Sequence, residues 1–269
     1  MRLRTVSALV AAGILIAVYL LFDTRGLYGI CSFVALGCIY EYSRLTLTKL
    51  KASIHLRIWF MILATALYVI TVKWIDSSIL AAAICSILFL SVVLVQVRKT
   101  PDLPYALQLQ TAGLMGFFYC GIFPGLCVHV LGMGVTGPIW LLGLLAIVFT
   151  GDTFAYLTGR LFGKHKLLEA VSPKKTIEGS IGGLGGSALA GLVLGLYFLP
   201  EVPLWGLVLT ALVTGLFAQV GDLFESLLKR IADVKDSGAI MPGHGGILDR
   251  VDGVLFAAPI YYVLARFLH

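Results

Sequence analysis

The chain has 269 residues, of which 59% are hydrophobic and 13% charged, and its mean hydropathy is +0.98, values that exclude an ordinary soluble domain. They read as an all-α, polytopic integral membrane protein of about nine transmembrane helices. The 20 Lys and Arg outnumber the 14 Asp and Glu to give a net charge of +6, but no basic soluble segment exists to carry a nucleic acid.

Nine apolar runs follow in order, at about 5–22, 27–43, 56–74, 78–97, 107–131, 138–157, 180–199, 203–223 and 251–268. Turn residues such as Asp23-Thr-Arg-Gly26 and Pro200-Glu-Val-Pro203 separate them. The first run follows Met-Arg-Leu-Arg like a signal peptide, but it lacks a small-x-small site before Thr24 and reads as a retained span. Five runs make an N-terminal membrane region, 1–135. Four make a C-terminal catalytic membrane region, 136–269, with loops at 158–179 and 224–250.

With the N-terminus in the cytoplasm, 17 of the 20 bases fall on cytoplasmic segments, leaving Arg25, Lys73 and Arg266 outside. That division predicts an outside C-terminus and a cytoplasmic face for both loops. The glycines from Gly182 to Gly195 read as helix packing, since no strand precedes them as a nucleotide loop would need. The five cysteines lie in apolar runs without a Cys-x-x-Cys pair and read as small apolar residues.

Charge is concentrated between Asp222 and Asp252, where 31 positions hold six acids, four bases and a histidine. Ionisable groups beside a bilayer are costly, so such a cluster marks a functional site. Asp222, Glu225, Ser226 and Lys229 share one helix face at i, i+3, i+4 and i+7. Asp222 lies roughly 28 Å along the eighth run, at the edge of a core about 30 Å thick. Asp152 lies about 21 Å along the sixth, still inside that edge. With Asp249 and Asp252 opening the ninth run, three segments bring carboxylates to one leaflet, which reads as a metal site more readily than as a solvated helix end. The glycine-rich stretch from Asp236 to Gly246 reads equally as a phosphate cradle or a plain connector.

Two stretches then become recognisable. Ser226-x-Leu-Lys229-Arg230, Lys235-Asp236-x-Gly238 and Met241-Pro-x-His244-Gly245-Gly246-Ile-x-Asp249-Arg250-Val-Asp252 resemble the signature of the phosphatidate cytidylyltransferases, or CDP-diacylglycerol synthases. Asp152-Thr-Phe-Ala-Tyr156-x-x-Gly159-Arg160 and Ser172-Pro-Lys174-Lys175-Thr176-x-Glu178-Gly179 resemble that family's upstream motifs. Met241 stands where the pattern has Leu, Ile or Phe, and Gly151 where many members carry Asn.

The resemblance implies a reaction of phospholipid biosynthesis at the inner membrane: CTP and phosphatidate give CDP-diacylglycerol and pyrophosphate. It implies Mg²⁺ held by Asp222 and Asp249 with Asp152, the last as a further ligand or a second-cation site. Lys229, Arg230, His244 and Arg250 are expected in catalysis beside Asp222 and Asp249. Lys174, Lys175, Thr176, Ser226, Lys235, Asp236, Gly245 and Gly246 are expected to bind substrate. CTP, phosphatidate and membrane lipids are the expected partners, with no nucleic acid and a homodimer left open. The same chemistry on another lipid phosphate is the near alternative. An ion-coupled transporter is a distant one, because the polar residues gather at one leaflet and no repeat is visible.

Overall fold

The computed structural model describes residues 2–99, 101–238 and 245–269, with backbone alone for 2–12, 14–16 and 99. Among the described residues eight segments, from Ala17–Leu47 to Leu248–Leu268, are helical, long and apolar enough to cross a membrane. The protein is a polytopic helical membrane protein.

The first helix, α1 (Arg2–Tyr42), is broken at Asp23, whose φ of 56° and ψ of −154° lie outside helical geometry. A Cβ on Gly26 would lie 2.9 Å from the Val18 carbonyl oxygen, whereas eight residues of straight helix span about 12 Å. The chain therefore turns sharply between the first two predicted runs. The run at 5–22 lies ahead of this turn, with most of its side chains outside the described residues.

α2 (Ile54–Lys73) starts where the Ser53 hydroxyl accepts from Leu56 N at 3.3 Å, and α3 (Ser78–Lys99) follows. The fifth run is two helices, α4 (Leu103–Gly116) and α5 (Phe123–Leu131), joined by a π-helical turn over Phe117–Ile122. That turn buries Tyr119 against Phe224 and Phe256, with ring centroids 5.2 and 5.4 Å away. Aromatic residues of the N-terminal region thus share a core with the last two helices. His129, near the end of α5, bonds the Thr71 carbonyl oxygen at 2.7 Å and is satisfied far from the charged cluster.

α6 (Gly137–Phe162) leads into a hairpin of β1 (Lys166–Leu168) and β2 (Ser172–Thr176). The stretch at 158–179 is therefore an ordered element, with Lys166 opposite Thr176 and Leu168 opposite Ser172. α7 (Ile177–Tyr197), α8 (Leu204–Ala232) and α9 (Leu248–Leu268) complete the fold.

The glycines of α7 bring helices close. Gly186 faces α6, Gly183 lies between α6 and Gln219 of α8, and Gly191 and Gly195 face Ala211, Leu207 and Leu204 of α8. Large apolar residues such as Ile79, Leu80, Ile87 and Leu107 remain exposed, as lipid-facing positions require.

Candidate active site

α6, α8 and α9 meet where small residues let their backbones touch. A Cβ on Gly253 would lie 3.2 Å from the Ala218 carbonyl oxygen and 3.3 Å from Val148 Cγ1. One on Gly221 would lie 2.6 Å from the Asp252 carbonyl oxygen. Asp152 and Asp222 follow Val148 and Ala218 by four residues, on the same helix faces, and Asp252 adjoins Gly253. Three carboxylates from three helices are thus drawn to one level of the bundle.

α8 continues to Ala232, ten residues past Asp222, and α6 continues to Phe162, ten past Asp152. The two acids sit within their helices and not at the ends. Gly151 is also explained, because a Cβ there would lie 2.5 Å from Ser187 Oγ and 3.4 Å from the Gly183 carbonyl oxygen. An Asn at this position would have to displace the Ser187 hydroxyl from its bond to the Ile147 carbonyl oxygen.

The hairpin closes over this level. Lys175 Nζ lies 2.6 Å from Asp222 Oδ2, and successive strand residues point to opposite faces, so Lys174 projects away and is exposed. Thr176 caps α7, its hydroxyl accepting from Gly179 N at 3.1 Å. Glu178, in the first turn of α7, accepts from the backbone N–H of Lys164 and His165 at 3.1 and 3.2 Å, which ties the start of α7 to the segment between α6 and β1. Arg230 Nε donates to the Val171 carbonyl oxygen at 3.2 Å and braces the hairpin from α8. Ser226 Oγ is 3.5 Å from Asp222 Oδ1.

A second group is built around Asp249. Its Oδ1 accepts from Lys229 Nζ at 2.8 Å. Its Oδ2 accepts from Ser237 N at 2.9 Å, Ser237 Oγ at 3.0 Å and Gly246 N at 2.8 Å. Lys229 also pairs with Glu225, one turn earlier on α8, whose second oxygen is buried without a hydrogen-bond partner among the described residues. Both oxygens of Asp249 are engaged in fastening α8 and the glycine-rich loop to the start of α9. Gly245 holds φ at 82°, where a side chain is strained, and a Cβ there would lie 2.8 Å from Asp249 Oδ2.

Lys235 and Asp236 are exposed at the loop's beginning, and Arg250 is exposed on the first turn of α9. His244 and Met241 lie outside the described residues.

Glu41 is a residue that sequence reasoning passed over. It is 1% exposed near the end of α1, and its carboxylate accepts from Ile247 N at 3.1 Å, Leu248 N at 2.9 Å and Ser237 Oγ at 3.1 Å. The available signal was a lone acid within the second apolar run, where any ionisable residue is a site hypothesis.

Among the described residues no three acidic, histidine or cysteine side chains close on one point tightly enough to enclose a metal by themselves. The donor set nevertheless suits Mg²⁺, which takes one or two carboxylates and completes its shell with water and phosphate oxygens. Asp152 is exposed and makes no hydrogen bond or ion pair with a described residue, and Asp252 makes no ion pair with one.

The cytidylyltransferase family matches the chain over residues 2–268. Over 128 residues the chain is 45% identical to a phosphatidate cytidylyltransferase of Staphylococcus saprophyticus, covering 48% of this chain and 49% of the relative. Over 180 residues it is 40% identical to one of Synechocystis sp., covering 56% and 60%. One from Staphylococcus aureus is 49% identical over 129 residues, covering 48% of this chain and 49% of the relative. The chain spans about half the length of most of the curated relatives it matches.

Proposed function

The chain belongs to the cytidylyltransferase family, and from that premise we propose that it joins CTP to phosphatidate, forming CDP-diacylglycerol and pyrophosphate. The observation that carries this reading is the level of Asp152, Asp222 and Asp252, closed on one side by the Lys175–Asp222 pair. Carboxylates and a lysine together suit a nucleoside triphosphate with its cation. Asp152 and Thr153 are exposed beside Phe149, Tyr156 and Leu157, so the polar level opens through a surface of apolar neighbours. A charged headgroup on an apolar tail fits such an opening.

In the reaction a phosphatidate oxygen bonds to the α-phosphorus of CTP as the bond to the bridging oxygen of the β-phosphate breaks, and pyrophosphate leaves. The attacking phosphate is already anionic near neutral pH, so positioning and charge neutralisation matter more than a strong base. Lys175 sits where it can neutralise phosphate oxygens, and Lys229 keeps one of its three N–H donors free of Glu225 and Asp249. Arg250, on the first turn of α9, supplies further positive charge near the loop. Asp222 and Asp152 would hold Mg²⁺ with Asp252 beside them; Asp249, expected in the same role, bonds Lys229 and the loop, as Asp222 bonds Lys175 and Ser226. When bound, the ion would neutralise charge on the triphosphate.

We place this site on the cytoplasmic side of the inner membrane, supported by the distribution of Lys and Arg. Sealed vesicles of both orientations, given labelled CTP and Mg²⁺ outside and phosphatidate in the bilayer, test reaction and sidedness together. CTP does not cross the bilayer, so labelled lipid should form with inverted vesicles and stop on chelation. No labelled lipid from open membranes would sink the reaction, and product only from right-side-out vesicles would sink the orientation.

The hairpin geometry separates two lysines that looked alike in sequence. Lys175→Ala should cost about 100-fold in kcat/KM, as loss of a charge-assisted contact in the transition state does. Lys174→Ala should cost less than about threefold, the scale of an exposed charge. Equal losses in steady-state assays would refute the inward and outward assignment.

A further inference from the structure

We propose that Glu41 is a positioning residue, holding the loop before α9, and through it Asp249 and Lys229, in the working arrangement. The proposal rests on the reading of this site as a cytidylyl-transfer centre. α9 has no capping side chain at its own N-terminus. Its first N–H groups, at Ile247 and Leu248, donate instead to Glu41, 206 and 207 residues earlier in the chain. The carboxylate has no basic partner among the described residues, so the positive end of α9 and these donors are what offset its buried charge.

The link to the site is Ser237. Its hydroxyl lies 3.1 Å from Glu41 Oε2 and 3.0 Å from Asp249 Oδ2, yet it has one hydrogen to donate. The two carboxylates therefore share one hydroxyl hydrogen, while each also holds backbone N–H groups of its own. A Cβ on Gly238 or Gly246 would collide with the Glu41 carboxylate, so the loop lies directly against it. Asp249 then fastens the same loop to Lys229 of α8. One buried acid of the N-terminal region thereby sets how the charged residues of α8 and α9 face each other.

Glu41→Gln keeps the shape but turns an amide N–H₂ toward donors. It should lower kcat about 10- to 100-fold, the usual loss for a group that orients another. KM for phosphatidate should stay within about twofold, because the level of Asp152 and Asp222 is untouched. Hydrogen exchange should quicken in peptides covering 236–249 while α2 and α3 keep wild-type protection. Wild-type kcat in the folded variant overturns the proposal, and so does faster exchange spread evenly through α1, α2 and α3, which marks a merely structural acid.

Ser237→Ala is a milder second probe that decides the matter if Glu41→Gln does not fold. It should cost about fivefold in kcat, one hydrogen bond's worth, and unchanged kcat would refute the coupling. Exchange is read without substrate, so it still reports on the loop if wild-type protein makes no CDP-diacylglycerol. That failure would count against the reaction and not against the clamp.

Discussion

Asp222→Asn is expected to lower turnover at least about 1,000-fold, equivalent to about 4 kcal/mol of transition-state stabilisation. The substitution keeps size and shape. It removes the charge that faces Lys175 across the hairpin and that would hold the cation carried in with the triphosphate. The half-buried position tolerates an amide, so Tm should move by no more than about 3 °C. Purified variant and wild type are compared by labelled-lipid formation and thermal unfolding in the same detergent. Turnover above about a tenth of wild type would remove Asp222 from the reaction.

Asp249→Asn should lose activity by a different route. Lys229 is left with Glu225 alone, and the new amide hydrogens face the N–H groups of Ser237 or Gly246. Breaking such a buried pair costs about 3–5 kcal/mol, and for a chain of this size that lowers Tm by about 6–20 °C. Turnover should fall at least about 100-fold as the loop loses its anchor. Tm distinguishes this variant from Asp222→Asn. An inactive Asp249→Asn protein with wild-type Tm would mean that the carboxylate acts on substrate or cation directly.

The helices were legible because their signal is additive. Some twenty apolar residues in a row outweigh any local irregularity, so the runs and the break at Asp23 appear in composition alone. The same holds for the stripe from Asp222 to Lys229, since helical spacing puts those groups on one face whatever surrounds them. The division of labour among the acids was not legible. Asp249 and Asp252 are three residues apart and look equivalent, yet Asp249 fastens a loop while the backbone of Asp252 packs on Gly221, one residue before Asp222. That difference depends on which neighbour Gly221, Gly246 and Gly253 admit, which is a property of packing between helices. Lys174 and Lys175 needed the strand of the hairpin to tell them apart. Glu41 needed α9, with which it shares no sequence pattern.

The bond from Glu41 to α9 also sets an order of events in synthesis. At roughly 5–20 residues per second, the ribosome reaches Leu248 about 10–40 s after Glu41. Through that interval the carboxylate sits near the end of an inserted helix without the amides that later receive it. A nascent chain stopped before α9 carries a costly acid in an otherwise apolar segment. The hydrogen bonds of Glu41 to the backbone of Ile247 and Leu248 are among the last of the fold to form.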